Sequence, residues 1–205
     1  MCNSCKPKAY VGRMVAIGKS DGKPFVGYRV SSRSFPNRIA VAKGDIATIT
    51  PKDSADVSKS PYISYNCIRV IGERAIATNG SHTDVIAEKI QQGYPPRDAI
   101  ALGLLTMDYE KDAYNTPRIA GIIDVTGLGY LGIIQASGMN IRGFKPEDGA
   151  FFVATYEKTD FEKLKLHGST AQEIAQSMYE LEFEHPVCAT AALWDGAFEI
   201  GVYNG

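Results

Sequence analysis

The chain has 205 residues and a formal net charge of −1, with 44% hydrophobic and 22% charged residues. This is a globular composition sized for one domain with an ordinary core, and it excludes a disordered chain. It also excludes a global basic field for nucleic acid or anionic lipid, so a bound anion must be held by a local cluster of donors.

The first elements are clear. "YVGRMVAIGKSDGKPFVGYRV" predicts two strands around the turn pair Asp21-Gly22. "SSRSFPNR", Ser31 to Arg38, then crowds hydrogen-bond donors into the end of a strand. "DIATIT" alternates like a strand, "SADVSKS" is a polar loop, and "PYISYNCIRVIGERAIATNG" supplies two more strands rich in Tyr, Ile and Val. In "NGSHTD" a turn merges with a helix start, where Ser81 or Thr83 would cap the helix "DVIAEKIQQG" and Gly93 would stop it. Beyond Pro95-Pro96, Ala99, Gly103, Leu104 and Met107, widened by Ile100, mark a buried helical stripe whose small residues permit close packing. Past Pro117 the strand habit returns in "RIAGIIDV", "YLGIIQA", "MNIRGF" and "AFFVATYE". "STAQEIAQSMYELE" is a helix behind a Ser/Thr cap, and "PVCATAALWDGAFEIGVY" closes as a hairpin around Asp195-Gly196. Strands, two helices, strands, one helix and strands give an α+β protein, with two stacked sheets of roughly nine or ten strands and the helices outside. No repeat or second domain is evident.

No apolar run approaches the roughly 18 residues of a spanning helix, and "MCNSCKPKAY" lacks the apolar middle of a secretory signal. A cytoplasmic protein without a membrane partner is expected. Cys2 and Cys5 lie in a polar lead-in and Cys67 and Cys188 in apolar runs, which is poor material for a disulfide framework. Cys2-x-x-Cys5 has no second ligand pair spaced to complete a zinc site. Removal of Met1 would expose Cys2 as an N-terminal nucleophile, but in such amidohydrolases the nucleophile opens the first strand, and Cys2 sits well ahead of it. "GLGYLG", with Gly127, Gly129 and Gly132, matches the dinucleotide fingerprint formally. The strand-like "IIQASGMNI" follows where a helix is needed, so it reads as a glycine-rich hairpin. No G-x-S-x-G elbow occurs.

Four polar clusters remain: "SSRSFPNR"; "SPYISYNC" with Tyr62, Tyr65, Asn66 and Cys67; "TNGSHTD" with Asn79, Ser81, His82 and Asp84; and "MDYEKD" with Asp108, Tyr109, Glu110 and Lys111. Singly, each has a structural explanation as a turn or a solvated helix end. Together they offer what a nucleotide site needs: donors for phosphate, amides for a base or carboxamide, and a phenol and carboxylate for proton transfer.

The same clusters resemble the archaeal-type IMP cyclohydrolase family, through "YVGR" at 10–13, "YRVSSRSFPNR" at 28–38, "PYISYNCIRV" at 61–70, "NGSHTD" at 79–84, "RDAI" at 97–100, "MDYEKD" at 107–112 and "NTPRIA" at 115–120. "TYE" at 155–157 and "HPV" at 185–187 add weaker matches. The resemblance implies a four-layer α-β-β-α sandwich of two mainly antiparallel sheets flanked by helices, the fold of N-terminal-nucleophile hydrolases. Family members begin near the residue matching Tyr10, so residues 1–9 would be a flexible extension and residues 10–205 one domain. The implied reaction closes 5-formamidoimidazole-4-carboxamide ribonucleotide to IMP and water, without metal or organic cofactor. It would place the chemistry on Arg38, Tyr65 and Glu110 and the phosphate on Ser32, Arg33 and Ser34. Asn66, Asn79, Ser81 and His82 would hold the substrate or shape its pocket. A cysteine amidohydrolase using Cys2 and a non-catalytic nucleotide-binding protein are the alternatives, and self-association is left open.

Overall fold

Asp21 and Gly22 both take positive φ, 51° and 74°, as the tight turn of a two-residue hairpin demands. They join β1 (Arg13–Ser20) to β2 (Lys23–Ser31). The computed structural model describes residues 8–53, 64–147 and 149–205. Cys2, Cys5, Tyr62 and the "SADVSKS" loop fall outside the described residues.

After the hairpin come β3 (Arg38–Lys43), β4 (Ile46–Pro51), β5 (Tyr65–Ile71) and β6 (Arg74–Thr78). Two helices follow, α1 (His82–Gln91) and α2 (Pro96–Met107). Next are β7 (Arg118–Asp124), β8 (Gly129–Gln135), β9 (Gly138–Phe144), β10 (Gly149–Ala154) and β11 (Glu162–Leu164). Helix α3 (Ala171–Tyr179), β12 (Pro186–Trp194) and β13 (Phe198–Asn204) complete the order. The class is α+β, with thirteen strands among the described residues, more than the roughly nine or ten expected: eleven lie in the segments marked as strands above, and β3 and β11 do not. The unsignalled strands are at sheet edges. The last three residues of β3 are exposed and β11 has only three residues, so neither carries a full apolar alternation. "GLGYLG" does form the hairpin between β7 and β8.

Two local expectations need correction. Ser81 is the N-cap of α1, but its backbone is already helical and its side chain makes no cap bond. Thr83, within the first turn, instead places its hydroxyl 2.9 Å from the Gly80 carbonyl. Met107 is only half-buried at the end of the α2 stripe, whereas Ala99, Ile100, Gly103 and Leu104 are buried. The stop at Gly93 is a Schellman motif, with Gly93 N–H on the Ile90 carbonyl and Tyr94 N–H on that of Lys89, each at 3.0 Å.

The strands form two antiparallel sheets, β11-β10-β1-β2-β12-β13 and β3-β4-β5-β6-β7-β8-β9. Several central strands are apolar on both faces because both faces are covered. In β1, Val15 and Ile17 enter the core between the sheets, while Met14 and Ala16 pack with Ile174, Ala175 and Met178 of α3. In β7, Ile119 and Ile123 face the same inter-sheet core, and Ala120 and Ile122 meet Ile86, Ile100 and Leu104 of α1 and α2. The period of two along each strand thus assigns alternate residues to different layers. Helices α1 and α2 approach closely at Gly103, where any Cβ would collide with Ile86.

Antiparallel pairing also brings particular ends together. The starts of β1, β3, β5 and β7 and the ends of β2, β6 and β10 share one rim of the sandwich, and the described residues of the polar clusters sit at or beside that rim.

Candidate active site

Toward this rim the inward positions change from aliphatic to polar. Arg13 opens β1, Tyr28 lies near the end of β2, Arg38 opens β3 and Tyr65 opens β5. The Tyr28 and Tyr65 hydroxyls are 2.7 Å apart. Arg13 Nη1 donates to the Ser31 carbonyl at 2.8 Å. Burial works against the Arg13 guanidinium, but the neighbouring Tyr65 and Tyr28 hydroxyls outweigh it and raise its pKa. Arg38 is 1% exposed, its Nε donates to the Phe35 carbonyl at 3.1 Å, and its Nη2 is buried without a hydrogen bond. Burial, followed by the like charge of Arg13, lowers the Arg38 pKa. Two adjacent guanidiniums beside two phenols make a small, strongly positive, donor-rich corner.

The opposite wall comes from the loop after α2. Asp108 ends the helix at a positive φ of 53°, and the Glu110 N–H donates to the Thr116 carbonyl at 2.9 Å. The Asp112 carboxylate holds this loop together, accepting from Tyr114 N–H at 3.1 Å, Thr116 N–H at 2.9 Å and the Thr116 hydroxyl at 2.6 Å. Asp108 and Lys111 pair on the exposed side, while the Glu110 side chain is only 13% exposed. Burial raises the Glu110 pKa, and Arg118, Arg13 and Arg38 offset only part of that effect. Arg118 Nη1 lies 3.4 Å from Glu110 Oε1.

Between these walls is a cleft of about 490 Å³, lined by Tyr10, Arg13, Ser32, Arg33, Ser34, Tyr65, Asn79, Glu110, Thr116 and Tyr156 among others. That volume suits a small-molecule ligand. At its outer end Arg33 stacks on Tyr10, 4.1 Å from the ring centroid, and donates to Glu184 at 2.6 Å. A hollow of about 540 Å³ beside β10 and β11 presents Lys145, Lys163 and Lys165, all exposed. It has neither a phenol nor a buried carboxylate, so proton chemistry has no apparatus there. Among the described residues, no group of three His, Cys, Asp or Glu side chains is arranged to hold a metal ion. No helix among them is long and apolar enough to cross a membrane.

Six of the residues singled out in the sequence line the cleft: Ser32, Arg33, Ser34, Tyr65, Asn79 and Glu110. Arg38 stands behind Phe35 and is not on the lining. The other three lie away from it. Asn66 accepts from the Thr48 hydroxyl at 2.9 Å and donates to the Asp84 carboxylate at 3.1 Å. Ser81 is exposed at the start of α1. His82 is fully buried, with Nε2 3.0 Å from the Ile119 carbonyl. Arg13, Asp112, Thr116, Arg118 and Tyr156 received no role from the sequence. Most fall in the motifs "YVGR", "NTPRIA" and "TYE", but a lone Arg, Thr or Tyr in a short motif does not reveal which wall it faces.

His82 makes the fold acid-sensitive. Burial, reinforced by the Arg118 charge, lowers its pKa from 6.5 to about 3. The native state keeps the ring neutral where the unfolded chain would protonate it. This contribution is therefore complete above pH 6.5 and is lost as pH falls toward 3, by up to about 1.4 kcal/mol per pH unit. Urea midpoints measured across this window should fall with pH in the native protein, and the slope should be shallower in His82→Asn.

A family model described as IMP cyclohydrolase-like protein matches residues 10–197. The chain is 57% identical over 199 residues to the IMP cyclohydrolase of Methanocella arvoryzae, covering 96% of this chain and 98% of the relative. It is 48% identical over 197 residues to the IMP cyclohydrolase of Methanothrix thermoacetophila, covering 95% and 98%. It is 46% identical over 203 residues to that of Haloquadratum walsbyi, covering 96% and 99%.

Proposed function

The chain belongs to the IMP cyclohydrolase-like family, and we propose that the rim cleft is where it performs the ring closure. An IMP cyclohydrolase converts 5-formamidoimidazole-4-carboxamide ribonucleotide to IMP and water, the last step of de novo purine biosynthesis. The carboxamide nitrogen attacks the formyl carbon, and the resulting carbinolamine loses its hydroxyl as water. Both groups belong to one molecule, so fixing them in near-attack geometry supplies part of the acceleration. The rest requires removal of a proton from a weakly nucleophilic amide and support for charge on the formyl oxygen.

The carrying observation is that a buried carboxylate, Glu110, and a donor corner built on Tyr65 and Arg13 line the same cleft. Glu110 takes the amide proton, and its burial-raised pKa makes it a stronger base than a solvated carboxylate. Tyr65 donates to the formyl oxygen while hydrogen-bonded to Tyr28. Arg13 and Arg38 stabilise the developing oxyanion, with Arg13 on the lining and Arg38 behind it. Tyr65 passes its proton to that oxyanion to complete the carbinolamine hydroxyl. As the carbinolamine collapses, the proton held by Glu110 turns the departing hydroxyl into water, and the formamido N–H proton returns to the Tyr65 oxygen. Ser32, Arg33 and Ser34 take the phosphate at the outer end, Arg33 exchanging Glu184 for the ligand.

The helix–sheet–sheet–helix layering supports the N-terminal-nucleophile-hydrolase-like fold as part of this reading. At the position where such hydrolases open the first strand with a nucleophile, this chain has Arg13. We take residues 10–205 as the catalytic domain and residues 1–9 as an extension, although Ala9 already bridges to Phe183. A reducing, cytoplasmic setting suits the buried free thiols Cys67 and Cys188.

The direct test is to supply purified protein with the formylated ribonucleotide and follow the purine chromophore. Binding of IMP without turnover would replace the enzyme by a nucleotide-binding protein, and dependence on Cys2 would restore the amidohydrolase. Arg33→Ala should raise KM by about 10- to 100-fold with little change in kcat, since a charge-assisted contact to the phosphate is uniform binding. Unchanged affinity would remove Arg33 from the phosphate site.

A further inference from the structure

We infer that the Thr78–His82 turn is a bracket that aims Arg118 at Glu110, making Asn79 and His82 positioning residues for the carboxylate that moves the proton. The inference rests on the role given to Glu110 above.

Strand β6 ends where Thr78 pairs with Ala120 of β7. One residue later, Asn79 continues the pairing with its side chain. Its Nδ2 donates to the Pro117 carbonyl at 2.9 Å, and its Oδ1 accepts from Ile119 N–H at 2.8 Å. The amide therefore grips the backbone on both sides of Arg118. His82 takes the next carbonyl, with Nε2 3.0 Å from Ile119 O. A carbonyl only accepts, so Nε2 carries the hydrogen and Nδ1 presents a lone pair. Arg118 Nη1 lies 3.4 Å from that Nδ1 and 3.4 Å from Glu110 Oε1.

Space around this contact is equally restrictive. A Cβ on Gly80 would stand 2.6 Å from Arg118 Nη1 and 3.3 Å from His82 Nδ1, so the guanidinium reaches its place only past a glycine. Arg118 is 6% exposed and its Nε is buried without a hydrogen bond. The arginine is therefore oriented from its Nη1 end, through His82 and Glu110. A histidine serving only as core filler would need its bond to Ile119 and nothing at Nδ1. Here the ring must also stay neutral, because a second hydrogen at Nδ1 would face a cation. Its pKa, lowered to about 3 by burial and by Arg118, is consistent with that requirement.

Arg118 is the largest of the charges favouring ionised Glu110; Arg13 and Arg38 act in the same sense and Asp112 in the opposite one. Loosening Arg118 should therefore move the Glu110 titration to higher pH. The readout is a carbon-13 NMR titration of carboxyl-labelled glutamate in the full chain, with Glu110→Gln used to assign the signal. His82→Ala and Gly80→Ala should each titrate Glu110 at higher pH than the native protein. The acid limb of kcat/KM should move with it, and kcat should fall more than KM changes. His82→Asn, whose Oδ1 stands near the Nδ1 position and accepts from Arg118, should return the midpoint toward the native value. A native midpoint in both alanine variants overturns the inference, as does an Asn variant displaced as far as the Ala variant. Gly80→Ala retains the imidazole, with its Cβ pressing first on Arg118 Nη1, and carries the test if His82→Ala does not fold. Absence of IMP formation by the native protein would instead sink the assignment of function, leaving the NMR comparison to decide the bracket.

Discussion

Glu110→Gln is expected to lower kcat by about 10²- to 10⁴-fold, the range of a positioned general base, while KM for the formylated ribonucleotide changes by only a few-fold. Glutamine keeps the shape of the side chain and can remain beside Arg118, so binding and fold are preserved while proton acceptance is lost. The pH profile adds a signature. If ionised Glu110 is the base, native kcat/KM falls as pH drops through its titration, which burial raises from the usual carboxylate value. The limb should disappear in the glutamine variant. Steady-state kinetics between pH 4 and 8 would show it, and native turnover in Glu110→Gln would remove this residue from the mechanism.

Tyr65→Phe should cost about 10²- to 10³-fold in kcat, comparable with losing one donor from an oxyanion site. The phenol bonds Tyr28 at 2.7 Å and is 8% exposed, so its hydroxyl is held in place before substrate arrives. The substitution removes that donor and also strands the Tyr28 hydroxyl inside the core, which should lower stability by about 1–3 kcal/mol. Tyr28→Phe separates the two effects. Tyr28 is fully buried and off the cleft lining, so its loss should cost similar stability with a much smaller drop in kcat. Equal kinetic losses in the two variants would mean that Tyr65 acts through packing and not by touching the substrate.

The comparison of Glu110 with His82 shows why part of the site could be read early and part could not. Glu110 stands in a helix-end cluster of charges, where solvation is the default; one carboxylate turns inward while Asp108 and Lys111 stay out. The motif carried the residue, but no periodicity could show which of the charges is buried. His82, Asn66 and Ser81 are polar and fall in clusters, as residues that hold a substrate or shape its pocket would. Their partners, the Ile119 carbonyl, Asp84 and solvent, depend on where β5, β7 and α1 meet. Arg13 shows the reverse. It is an ordinary arginine at the head of a strand until the packing of one sheet on the other sets it beside Tyr65.

Local chemistry by itself determined the Asp21-Gly22 hairpin, the helix stop at Gly93, the alternating strands and the α+β order. Each is decided by interactions a few residues apart along the chain: turn geometry, capping and side-chain period. The family motifs further pointed to Tyr65, Glu110 and the Ser32–Ser34 donors, which line the cleft. Only the tertiary structure decided that β1, β2, β5, β7 and the loop after α2 share one rim. The same holds for which arginines line the cleft and for how burial shifts Glu110 and His82. Those properties come from the low dielectric and the neighbouring charges that packing creates between distant parts of the chain, and a linear pattern carries no record of them.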